Sequence, residues 1–216
     1  MSVWAAVPVK TFATAKHRLA SLLTPAQRSA LAAAMLEDVL SALAGTSLGG
    51  IMVNTEDAAG AALARRFGAL VVAEDVRDGH TAAVTAMARI LAARGASAML
   101  ALPGDIPRVT AAELEQVCAA GRRPPAFTIV PAHDELGSNA VLVAPPDAVP
   151  LRFGDDSFFP HLAAARRHGI EPVVVKLPGI ALDIDRPEDV YALLRAKPAL
   201  PSRAVRLLAE TRLTAD

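Results

Sequence analysis

Short apolar runs recur along this chain, separated by longer alanine- and leucine-rich stretches, and this alternation constrains the fold more than any other feature. It encodes strands that pair in parallel through helical crossovers, so the chain is read as α/β, with a parallel sheet carrying helices on both faces. The candidate strands are "VWAAVPV", "GIMVN", "ALVVAE", "SAMLAL", "AFTIVP", "NAVLVA" and "EPVVVKL". Helical patterns fill the intervals at about Pro25–Leu43, Ala58–Phe67, Thr81–Arg94 and Ala111–Ala120. "TPAQ" from Thr24 supplies an N-cap and a first-turn proline, and "VTAAEL" repeats the entry signal from Thr110 to Glu113. After Pro131 the rhythm breaks into "AHDELGSN" and "PPDAVPLRFGDDSF", the irregular half in which ligand-specific loops belong.

At 216 residues the expectation is one domain over 1–196, with 197–216 as a C-terminal appendage that is either a surface extension or an oligomer contact, which leaves a homodimer open. Hydrophobic residues at 53% against 20% charged exclude wholesale disorder. The formal net charge of zero argues against a spread nucleic-acid footprint, yet allows a local cationic pocket. Cys118 is the single cysteine and lies in a helical pattern, so a structural thiol is expected in a reducing compartment. No charged region precedes the first apolar run and no window reaches a membrane-spanning length, so a cytoplasmic protein with no membrane partner is expected.

In an open parallel sheet, ligands bind beyond the carboxyl ends of the strands, and four segments there carry chemistry. Lys10, Lys16 and Arg18 follow the first strand at spacings that let a loop direct several cations toward one anion, with phosphate the natural guest. A solvated loop with ordinary surface cations is the alternative. In "LALPGDIPRV", Asp105 ends a buried strand between prolines, where a short carboxylate can hold Mg²⁺ while substrate phosphates supply further ligands; a plain turn aspartate is the other reading. In "GIALDIDRPEDV", Asp183 and Asp185 fall on one face of an extended segment, and paired like charges ask for a cation shared with Asp105. Asp185 could instead cap the helix that begins at "RPED". Finally, Ser138 in "GSN", Gly154 and Ser157 in "FGDDSF", and Gly79 in "DGHTAA" sit in small-residue loops able to present N–H and hydroxyl groups to an anion; turn chemistry alone also explains each.

Taken in register, "VPVKTFATAKHRLA", "LPGDIP", "GSNAVL", "FGDDSF" with "HLAAARRHGI", and "LPGIALDIDRPEDV" resemble the CofC/FbiD family of guanylyltransferases of coenzyme F-420 biosynthesis over nearly the whole chain. The resemblance implies a Rossmann-like nucleotidyltransferase fold, a three-layer sandwich with a mostly parallel mixed sheet. It implies a reaction in which GMP passes from GTP to a three-carbon phospho-acid (2-phospholactate, phosphoenolpyruvate or 3-phosphoglycerate) with release of pyrophosphate. Lys10, Lys16 and Arg18 then match the triphosphate loop, and Asp105, Asp183 and Asp185 the carboxylates that hold Mg²⁺. Gly79 and Thr81 match the nucleotide side, and Ser138, Gly154 and Ser157 the phospho-acid side. The chain departs from the family where Gly79–His80–Thr81 stands for the usual Gly-Leu-Asn, Ser138 for the second Thr of Thr-Gly-Thr-Asn, and Gly154–Asp155–Asp156–Ser157 for Gly-Pro-Gly-Ser. A transferase for a sugar phosphate or a molybdopterin-type acceptor would carry a "GxGTR"-like loop after the first strand, absent here. A non-catalytic nucleotide-binding module would need no convergence of carboxylates and cations.

Overall fold

The computed structural model describes residues 2–74, 79–121, 123–154, 156–196 and 202–211. Asp78 and Asp155 of the segments above, and 197–201 and 212–216 of the tail, lie outside them. Seven strands, β1 (Val3–Pro8), β2 (Gly50–Asn54), β3 (Leu70–Val72), β4 (Ala98–Ala101), β5 (Ala126–Pro131), β6 (Ser138–Ala144) and β7 (Val173–Val174), form one sheet in the order β3-β2-β1-β4-β6-β5-β7. The β1, β2, β3 and β4 pairings are parallel. β6 runs antiparallel to both β4 and β5, because only the short turn after Pro131 joins β5 to β6 and no crossover helix can fit there.

Helices α1 (Pro25–Ala44), α2 (Ala58–Arg66) and α4 (Ala111–Ala120) cover one face, and α3 (His80–Ala93) and α5 (Phe158–Arg167) the other. Strand alternation feeds both: Val3, Ala5 and Val7 of β1 join the first core, Ala6 the second. Both expected threonine N-caps form, and each closes a capping box that adds to the expectation, Thr24 with Gln27 and Thr110 with Glu113.

A third apolar cluster lies off the sheet and positions the site. Leu31 and Met35 of α1 pack with Leu19, with Val190 and Leu193 of α7 (Pro187–Arg195), and with Ala204 and Leu208 of α8 (Arg203–Glu210). α1 is thus apolar on two faces, since Leu36, Val39, Leu40 and Leu43 point to the sheet. α8 is fastened by Asp38 of α1, a buried carboxylate that accepts from Ser202 Oγ (2.7 Å) and from the backbone N–H groups of Arg203 (2.9 Å) and Ala204 (3.0 Å). Among the described residues no helix is long and apolar enough to cross a membrane.

Candidate active site

The chain leaves β1 toward β2 and β3 on one side and returns to β4 on the other, so the carboxyl ends of β1 and β4 flank a topological switch point. A cavity of about 770 Å³ opens there. Because β6 is antiparallel, its first residues, Ser138 and Asn139, lie at the same edge, and the extended arm after α6 (Pro178–Ala181) completes the rim.

After β1, Val9 N–H is still bonded to Asn54 O (2.9 Å), and the chain then folds into two 3-10 turns, Phe12–Thr14 and His17–Leu19. Phe12 N–H donates to Asp57 Oδ2 (2.9 Å), and buried Phe12 and Leu19 pin the loop at either end. Between the turns Lys16 adopts the left-handed conformation (φ 56°, ψ 39°), which costs an L-residue roughly 1–2 kcal/mol. Its ammonium turns into the cavity and is almost wholly buried, bonded to Asp105 Oδ2 and to Asp185 Oδ1 (2.9 Å). Burial by itself would depress the Lys16 pKa, but the two carboxylates outweigh it and hold the group above its ordinary value.

The three aspartates all line this cavity. Asp105 reaches it past Pro103–Gly104, and its carbonyl accepts from Ile184 N–H (3.1 Å), which ties the two acidic segments together. With Ile184 fully buried, Asp183 and Asp185 emerge on the opposite side, as the i, i+2 spacing requires. Glu113 steadies the arm by accepting from Gly179 N–H (2.7 Å). Asp183 Oδ1 accepts from Asn139 Nδ2 (3.0 Å), yet burial and the facing Asp105 carboxylate push its pKa up. Burial would raise Asp185 as well, but Lys16, then Arg18 and Lys10, hold it below the usual carboxylate range. The helix-capping alternative for Asp185 is filled by Asp189, whose Oδ2 accepts from the N–H groups of Asp185 (3.0 Å) and Arg186 (2.7 Å).

No set of three His, Cys, Asp or Glu residues is gathered into a metal cage among the described residues. Asp105 and Asp183 nevertheless suit Mg²⁺. Asp105 Oδ1 is buried without a hydrogen-bond partner among the described residues, the two carboxylates repel each other, and Mg²⁺ takes one or two carboxylates with phosphates and water completing its shell. Asp185 is instead occupied by Lys16 and by Arg18 (3.4 Å).

Gly154, Ser138 and Ser157 line the same cavity. Ser157 Oγ donates to Ser138 Oγ (3.2 Å), and Ser138 Oγ lies 3.1 Å from Nδ1 of buried His161. Sequence reading missed His161, although its spacing of four from Ser157 on a helix was the available signal. It also missed His80, which lines the cavity with its ring 4.6 Å from Phe153. Burial, with a further push from Lys10, lowers the His80 pKa to about 4. Gly79 and Thr81 are not brought to the cavity wall. Gly79 begins α3 with φ 95°, a conformation suited to glycine, while the Thr81 hydroxyl accepts from Phe153 N–H (3.0 Å) and fastens the Phe153 loop to α3.

A family model described as "Guanylyl transferase CofC like" matches residues 3–196. The phosphoenolpyruvate guanylyltransferase of Rubrobacter xylanophilus is 38% identical over 193 residues, covering 89% of this chain and 94% of that one. That of Conexibacter woesei is 36% identical over 198 residues, with 89% and 87% covered. Among solved structures, a putative nucleotide-diphospho-sugar transferase from Desulfovibrio desulfuricans superposes with a TM-score of 0.79 at 19% identity, covering 97% of this chain and 95% of that one, a likeness of fold.

Proposed function

Because the chain belongs to the CofC-like guanylyl transferase family, we propose that it transfers GMP from GTP to the phosphate of a three-carbon phospho-acid, with phosphoenolpyruvate the acceptor. A phosphate oxygen of the acid attacks the α-phosphorus, a P–O–P linkage forms, the bond to the β-phosphate breaks, and pyrophosphate leaves. The product, a guanosine diphosphate-linked acid, is the kind of activated unit that coenzyme F-420 assembly consumes.

The observation that carries this reading is the meeting of Lys10, Lys16 and Arg18 with Asp105 and Asp183 in one cavity at the switch point. The attacking phosphate is already anionic at neutral pH, so no protein nucleophile is needed, and catalysis reduces to alignment and charge neutralisation. Lys10 and Arg18, which line the cavity, neutralise the departing pyrophosphate. Lys16, clamped by Asp105 and Asp185, keeps a fixed positive charge at the floor. Asp105 and Asp183 would hold Mg²⁺, which when bound supplies charge neutralisation between the two phosphate groups. Ser138, Ser157 and the Gly154 loop take the phospho-acid, and the α3 end of the cavity, with His80, takes the nucleoside. The protein works on small molecules in the cytoplasm.

Pyrophosphate release by the purified protein tests this, with GTP and Mg²⁺ plus phosphoenolpyruvate, 2-phospholactate or 3-phosphoglycerate in separate reactions, and with the other nucleoside triphosphates as controls. Release should require GTP and be fastest with phosphoenolpyruvate. Folded protein that is silent with every acid would refute the proposal.

A further inference from the structure

Ser138 and Ser157 face the cavity, but the group behind them dictates how their hydroxyls point. Nε2 of His161 lies 3.0 Å from the backbone N–H of Arg152. A backbone N–H can only donate, so Nε2 carries a lone pair, and the proton of the neutral imidazole sits on Nδ1. Nδ1–H then donates to Ser138 Oγ at 3.1 Å, and Ser157 Oγ–H donates to the same oxygen at 3.2 Å. With Ser157 as the donor of that pair, both acceptor positions of Ser138 are filled, and its own O–H is left to point to the cavity that Ser138 lines.

We propose that His161 is a positioning residue that, through Nδ1–H, fixes the Ser138 hydroxyl as an obligate donor to an anionic oxygen of the phospho-acid. This rests on the functional reading above. The hydrogen-bond polarity is selective in itself. A fully ionised phosphate or carboxylate oxygen offers only lone pairs and meets the Ser138 proton, whereas a group that must donate finds no free acceptor position on Ser138 Oγ. The ring is held in plane by Phe153, edge-on at 5.1 Å, and by Phe127 at 6.3 Å. Burial, reinforced by Arg152, lowers the imidazole pKa to about 4 and keeps it neutral at physiological pH.

Two measurements test this. In protein labelled with ¹⁵N-histidine and free of substrate, the resonances that vanish in His161→Gln should report a neutral ring protonated at Nδ1; protonation at Nε2 overturns the proposal. In kinetics, His161→Gln retains an acceptor for Arg152 N–H but loses the donor to Ser138. It should raise KM for the phospho-acid roughly 10- to 100-fold, with KM for GTP within about twofold. His161→Asn, whose amide can stand in for Nδ1–H, should recover most of that loss. Ser138→Ala should match His161→Gln, and the double variant should be no worse than either. Equal losses in the Gln and Asn variants, or an unchanged KM for the acid in His161→Gln, would overturn it. If His161→Gln does not fold, Ser138→Ala identifies the donor's contribution and the ring is assigned by its contact with Phe153. Wild type inactive with every acid would refute the functional reading instead, and the tautomer, which needs no substrate, would still decide whether Nδ1 donates to Ser138.

Discussion

Replacing Lys16 with Met would remove the ammonium and leave a side chain of similar length between two carboxylates. The Lys16 side chain is 7% exposed, that of Asp105 27% and that of Asp185 45%. Breaking a buried ion pair costs about 3–5 kcal/mol, and losing an exposed one about 0.2–1 kcal/mol. Asp105 falls toward the low end of the first range and Asp185 within the second, so the variant should lose about 3 kcal/mol at pH 7. For a chain of this size that is a drop of about 6–12 °C in melting temperature. The loss should shrink in acid. The Asp185 pKa is depressed in the folded protein, so its contribution is present above the unfolded carboxylate value near 4 and lost as pH falls through the folded value. Asp183 works the other way. Its raised pKa means that its charge opposes folding at neutral pH, and protonation relieves the repulsion that Lys16→Met exposes. Melting curves followed by circular dichroism from pH 7 down to about pH 2 should therefore draw together toward the acid end. A variant that melts with the wild type at pH 7, or one displaced equally at both ends of the range, would refute this account of the site's electrostatics.

Asp105→Asn should lower kcat on the order of 100-fold or more in the pyrophosphate assay, with melting within a few degrees of wild type, because it also removes the charge that Asp183 opposes. An active Asp105→Asn enzyme would place the cation elsewhere. His80 and His161 both have folded pKa values near 4, below the ordinary 6.5, so the unfolded chain takes up their protons first. Their contribution is full above 6.5 and declines as pH falls below it. Urea unfolding should thus show about 1 kcal/mol lost per residue between pH 7 and 5.5, and His80→Leu should remove half of that dependence. Asp38→Ala should release α8, with hydrogen exchange there rising well above that of α1 and a loss of about 2–4 kcal/mol, since four donors, the Arg203 guanidinium among them, lose a buried acceptor. Unchanged protection in α8 would mean that its apolar face alone holds it.

Much of the site was legible because its signals are local. Asp105 follows a strand, and Asp183 and Asp185 differ by two positions in an extended arm, so strand geometry alone puts them at one edge and on one side. The N-caps Thr24 and Thr110 act within a single turn and formed as read. Gly79 and Thr81 were legible as a helix start, but not the use of the Thr81 hydroxyl, which is spent on Phe153 72 residues away. His161 escaped notice because its partners, Ser138 and the Arg152 backbone, reach it only once β6 and α5 are packed together.

The alternation of apolar runs with helical stretches determined, without any tertiary information, that this chain builds a sheet layered between helices, and where its strands end. The spacing of its charges placed cations and carboxylates at those ends. Which carboxylate meets which cation was decided only by the tertiary structure: Lys16 chooses Asp105 and Asp185 across separations of 89 and 169 residues, leaving Asp183 to Asn139. The antiparallel insertion of β6 and the clamping of α8 by Asp38 belong to the same class. Local backbone preference acts over a few residues and is written in composition and period. The pairing of buried polar groups depends on which neighbours packing supplies, and that is settled when the whole core closes.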